Sequence, residues 1–118
     1  METNFNSQIC TTREQSERLL SFGLKKETAD MSHTAIIINH KVQYMEHCST
    51  PKGIDIPAWS LHRLLLLIPK EVNIDGYRFP LRSDAVMRMD EADDMYEYII
   101  GVLERTIKEG YFNKEYLV

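Results

Sequence analysis

His33, His40, His47 and Cys48 fall within sixteen residues, a group of histidine and cysteine side chains that could ligate a metal or act as nucleophile and base, with a second thiol at Cys10. Zinc chemistry would need four such ligands converging on a tetrahedron, drawn in structural sites from closely spaced pairs. That spacing is absent. His47 and Cys48 are sequence neighbours, so on a strand they point to opposite faces, and His40 lies in the turn-forming stretch Asn39-His40-Lys41. The group is therefore expected to be ordinary surface histidines, with no bound metal. Nucleophilic catalysis would need a base within hydrogen-bond reach of the thiol and a third group to orient that base. Neither His47 nor His62 can be assigned to that role, and a small, mostly buried thiol is the commoner state of a free cysteine.

The acids Asp90, Glu91, Asp93 and Asp94 suggest a hard-cation site. Calcium loops, however, alternate oxygen ligands around a glycine and close on a Glu, and that pattern is missing. Complementing the positive start of a helix explains the acids more simply. Trp59, the only tryptophan, is a candidate partner anchor, although aromatic rings mainly supply core area. Tyr96, Tyr98, Tyr111 and Tyr116 are a further candidate partner surface. His62 and Arg63 have no structural task visible in the sequence. They mark the place where polar groups would meet an aromatic wall in a ligand site. The glycines are scattered and form no phosphate loop. No catalytic residue, cofactor or metal ligand is expected, and the candidate interaction surface comprises Trp59, His62, Arg63, Tyr111 and Tyr116.

The chain has 118 residues, of which 43% are apolar, enough for one core but not two. Its net charge of −4 argues against a phosphate-binding surface. Residues 90–118 hold eight acids against Arg105, Lys108 and Lys114. Nucleic-acid binding would require Lys25, Lys26, Lys41, Lys52 and Arg63 to converge on one face. Two cysteines are too few for a disulfide scaffold, and reduced thiols are expected. No stretch has the charged start and apolar middle of a signal peptide. The run Leu64–Ile68 is too short to span a bilayer, so a cytoplasmic protein without membrane contact is expected.

The elements that must position these residues follow from local signals. Residues 1–10 are patternless and expected to be flexible. Thr12 and Gln15 form a capping box for a helix ending at Gly23, packed mainly through Leu19, Leu20 and Phe22 at its C-terminal half. Residues 25–31 form a connector with room for one helical turn. The run Ala35–Ile38 and the segment Val42–Met45 read as two strands about a tight turn, with a single long bent strand as the alternative. Residues 49–55 form a loop. Ser60 caps a helix over 61–68, Trp59 and Leu64 form a hydrophobic staple, and Pro69 stops the helix. Asp75-Gly76 marks a type I′ hairpin pairing Ile74 with Tyr77 and Val72 with Phe79, their side chains facing the core. Pro80 ends that strand or marks it as an edge, and residues 85–89 suggest a further strand. Asp90 is the expected cap of a last helix with the stripe Met95, Ile99, Val102, Leu103 and Ile107, ended by Gly110. An aromatic tail, Tyr111, Phe112, Tyr116 and Leu117, packs back on the body.

The segments EQSERLLSFGL, ETADM, IPAWSLHRLLLLIPKEVNIDG and EGYF, in that order, resemble a group of small proteins of bacterial genomes, phages and mobile elements for which no activity is established. The resemblance covers most of the chain, least over residues 33–52. It implies a cytoplasmic accessory role and transfers no catalytic residue.

The expected fold is α+β in a single domain, with one antiparallel sheet of four or five short strands and two or three helices mainly on one face. The expected function is a non-enzymatic accessory or protein-interaction role, with an unidentified protein or a second copy as partner. The alternatives are a small enzyme or ligand-binding domain near His62 and Arg63, and a nucleic-acid-associated accessory protein.

Overall fold

The structure is a computed structural model that describes residues 8–118. The flexibility expected of residues 1–10 falls, for residues 1–7, outside the described residues. Cys10 is buried rather than frayed, because the next residue is tied down: the Thr11 N–H donates to the Trp59 carbonyl at 2.9 Å.

Helix α1, Arg13–Ser21, starts on the expected capping box. Thr12 Oγ1 accepts the Gln15 N–H at 3.1 Å, and Gln15 Oε1 accepts the Thr12 N–H at 3.0 Å. It ends on Gly23 at φ 94°, where the Gly23 and Leu24 N–H groups donate back to Leu20 and Leu19. That pairing satisfies the last carbonyls. Leu19 and Leu24 are both fully buried. The buried face differs from expectation: Gln15, Ser16 and Leu19 point inward and Leu20 is exposed. Ser16 can be buried because its hydroxyl pairs with Thr11 Oγ1 at 2.8 Å.

After a 3-10 turn at Lys26–Thr28 come β1, Met31–Ile38, and β2, Lys41–His47, antiparallel with Ile38 opposite Lys41. Asn39 and His40 sit at φ 51° and 63°, both positive as a type I′ turn requires. A third strand, β3 (Ile56–Ala58), had no visible signal, being three residues long and containing Pro57. It pairs antiparallel with β1 as an edge strand, the position a proline tolerates. The order is β2-β1-β3.

Helix α2, Leu61–Leu67, begins at Ser60. It stops because Ile68, preceding Pro69, is held extended at ψ 128°. The hairpin β4, Val72–Ile74, and β5, Tyr77–Phe79, has the expected register, with Asp75 and Gly76 at φ 51° and 84°.

The protein is α+β, but the strands divide into a three-stranded and a two-stranded sheet instead of one sheet of four or five. Among the described residues four α-helices are present where two or three were expected, because residues 85–89 belong to α3, Leu81–Met89, and not to a strand. Leu81, Ala85 and Met89 recur every four residues toward the core, a helical period. Asp84 and Arg88 add an i,i+4 ion pair at 3.0 Å. Helix α4, Met95–Lys108, is capped by Asp94, whose Oδ1 accepts the Glu97 N–H at 3.2 Å; Asp90 instead ends α3.

One cluster of buried apolar residues joins Leu19, Trp59, Leu64, Ile68, Ala85, Ile99 and Leu103 across all four helices. Cys10, Met31 and Ala58 form a smaller one. The second hairpin corrects the expected apolar face. Val72 at its base is buried, but Ile74 and Tyr77 at its tip are 44% and 66% exposed. No helix among the described residues is long and apolar enough to cross a membrane.

Candidate functional site

Trp59 is fully buried, and the reason lies in the connector of residues 25–30. Its indole N–H donates to Thr28 Oγ1 at 3.0 Å, and that hydroxyl donates to the Lys25 carbonyl at 2.6 Å. The ring is therefore closed to partners in this fold. The next residue is held as firmly: Asp30 accepts the Ser60 N–H at 2.9 Å and the Ser60 hydroxyl at 2.6 Å. Ser60 Oγ in turn accepts the Arg63 N–H at 3.1 Å. Arg63 closes the circuit, its Nε donating to the Thr28 carbonyl at 2.7 Å. So Arg63 has a structural task that the sequence does not reveal: it clamps α2 onto the connector.

Beside this clamp lies a cavity of about 590 Å³ lined by Lys25, Glu27, Arg63, Leu66, Leu67 and Tyr116, with Thr28 and Glu115. Tyr116 is brought there because the Lys25 N–H donates to its carbonyl at 2.7 Å. The ring of buried Phe112 meets Tyr116 edge-on at 6.1 Å. Two of the expected interaction residues, Arg63 and Tyr116, thus share one cavity. His62 is exposed on α2 and does not line it. Tyr111 lines a different groove of about 580 Å³, between the second hairpin, α3 and α4, with Val72, Phe79, Ala85 and Val102 on its walls. Tyr96 is buried, its hydroxyl donating to the Gln8 carbonyl at 3.3 Å.

The His/Cys group does not converge. His33 is buried, not superficial, and its Nε2 donates to the Thr11 carbonyl at 2.8 Å. His47 pairs with Ser49 Oγ at 2.8 Å, opposite Ser32 and therefore on the other sheet face from His33. His40 occupies the turn. Among the described residues no three His, Cys, Asp or Glu side chains are grouped to hold a metal. Cys48 is exposed, against the expectation of a mostly buried thiol, while Cys10 is buried, and both are free. Burial, reinforced by the Glu46 carboxylate, pushes the Cys10 thiol up to about 12.

Of the five cations a nucleic-acid face would need, only Lys25 and Arg63 share the cavity, and Glu27 and Glu115 accompany them. Lys41 sits at the tip of the first hairpin and Lys52 in the loop before Asp55. Elsewhere, hydrogen bonds from Arg18 and Gln15 hold Glu97 below the usual carboxylate range. The N–H groups of Ala35 and Lys52 do the same for Asp55.

Sequence reasoning named Lys25 only as one of five scattered cations and missed Glu27, Leu66, Leu67 and Glu115, because the lining comes from three separate segments. Comparison with protein-family models, curated proteins and solved structures finds no match.

Proposed function

We propose that this chain is a non-enzymatic accessory protein that works by binding another protein chain through its first hairpin. The observation that carries this reading is the exposure of β2. Six of its seven residues are exposed, and the strand forms one edge of its sheet. An edge strand presents unpaired backbone N–H and C=O groups, and natural proteins normally blunt such an edge. Here Ile37 (74% exposed) and Val42 (51%) lie on one face, while Ile38 and Met45 are exposed on the other. Apolar side chains on both faces beside a free edge favour a partner strand.

The partner is a second copy of the chain or a protein encoded nearby. The latter suits the phage or mobile-element origin that the resemblance implies. Two free thiols, one of them exposed, fit a reducing, cytoplasmic setting. Light scattering across concentration, joined to pull-downs, tests the proposal. Association is expected for the parent chain and its loss for Val42→Asp with Met45→Asp. A monomer at every concentration that captures no partner would defeat it. An enzymatic role at His62 gains no support, since that side chain is exposed and lines no part of the cavity beside Arg63.

A further inference from the structure

The cavity between the connector, α2 and Tyr116 is surrounded by two cations, Lys25 and Arg63, and two acids, Glu27 and Glu115. None of the four belongs to an ion pair among the described residues, whose four salt bridges all lie elsewhere. The four charged side chains stand around a shared space without closing into pairs.

Arg63 is prepared for an anion. Its Nε is committed to the Thr28 carbonyl at 2.7 Å, which fixes the guanidinium plane, and its terminal nitrogens have no protein partner among the described residues. A half-buried guanidinium with a fixed plane and free N–H groups matches a carboxylate better than water does. The cavity's four charges sum to zero, which gives no attraction for a polyanion. Leu66 and Leu67 supply an apolar wall, and about 590 Å³ is a small-ligand volume.

We propose that this cavity binds a small zwitterion with an apolar side chain. The carboxylate rests on Arg63 and Lys25, the ammonium faces Glu27 and Glu115, and the side chain lies on Leu66 and Leu67. A free α-amino acid and a short peptide share that chemistry. The site is independent of the first hairpin.

Calorimetric titration of the full chain tests this with L-leucine and leucyl-leucine, each to about 10 mM, enough to saturate a millimolar site. Saturable binding of either is expected, and which one binds more tightly separates the two sources. N-acetyl-leucine, lacking the ammonium, and leucinamide, lacking the carboxylate, are each expected to bind roughly tenfold more weakly, the loss of one charge-assisted contact. Arg63→Gln is expected to weaken binding by up to roughly tenfold, as loss of the ligand's carboxylate does. Should that variant fail to fold, Glu115→Gln carries the test, because its exposed side chain supports no other contact on which the fold depends. It is expected to weaken leucine and leave N-acetyl-leucine unchanged. No binding of either zwitterion, equal binding of the blocked compounds, or unchanged binding by folded Arg63→Gln or by Glu115→Gln would each overturn the proposal.

Discussion

Asp30→Ala should lower stability by about 2 kcal/mol, a large effect for a residue in a short connector. The carboxylate accepts two hydrogen bonds from Ser60, at 2.9 Å from the N–H and 2.6 Å from the hydroxyl. Hydrogen bonds to a charged group contribute about 1.5–3 kcal/mol each when desolvated. Asp30 and Ser60 are only half-buried, so water recovers part of the loss, which brings the expected total down to about 2 kcal/mol. For a chain of this size the melting temperature falls by about 4 °C per kcal/mol, giving about 8 °C. Ser60→Ala alone removes the cap of α2, worth about 1 kcal/mol, together with its side of the Asp30 contact. A double-mutant cycle read by urea midpoints at constant slope isolates the shared part, expected at about 1 kcal/mol. If the two substitutions add to within about 0.5 kcal/mol, Asp30 and Ser60 do not act together and the clamp on α2 is misassigned.

The two thiols should separate cleanly: a disulfide-exchange reagent near pH 8 titrates Cys48 in the folded protein and reaches Cys10 only after denaturation. Because the folded Cys10 thiol holds its proton up to about 12 against 9.0 when free, its protonation favours the fold fully below the lower value and less as pH rises toward the higher. Cys10→Ala should therefore lose stability less steeply than the parent chain above pH 9, measured by urea midpoints. Gly76→Ala should cost about 1–2 kcal/mol in a thermal melt, because a new Cβ meets nothing within 4 Å and the whole penalty comes from φ 84°.

The legible parts of the fold are those whose cause is local. Thr12 with Gln15, Gly23, Ser60, Pro69, Asp75-Gly76 and Gly110 each act within four residues of themselves, and each does the task its chemistry implies. The misread parts depend on what lies across the fold. β3 exists because β1 offers it a partner edge, not because Ile56-Pro57-Ala58 prefers a strand. The apolar tip of the second hairpin looks core-facing in sequence, yet Ile74 and Tyr77 remain exposed, Ile74 only lining the groove beside α3 and α4. His33 and Thr11 are buried polar groups that find each other across 22 residues. The cavity was half visible: Arg63 and Tyr116 stood out by type, while the residues joining them come from the connector, α2 and the C-terminal segment, which meet only in the fold.

Residues 23–25 and 116–118 pair as a short antiparallel bridge, through Lys25 N–H to the Tyr116 carbonyl and Val118 N–H to the Gly23 carbonyl, both at 2.7 Å. In kinetic terms this bridge closes the long loop from Leu24 to Leu117, and its closure entropy of about 4 kcal/mol is offset only once the helices have packed. The bridge therefore forms late in folding. Two backbone hydrogen bonds close it, and the fully buried Leu24 with Leu117 ties it to the core cluster. Tyr116 is a wall of the cavity beside Arg63, so the bridge that fixes its backbone also shapes that cavity. The amide protons of Lys25 and Val118 should exchange faster than those of Leu103 or Ile99, and a bound ligand should slow them.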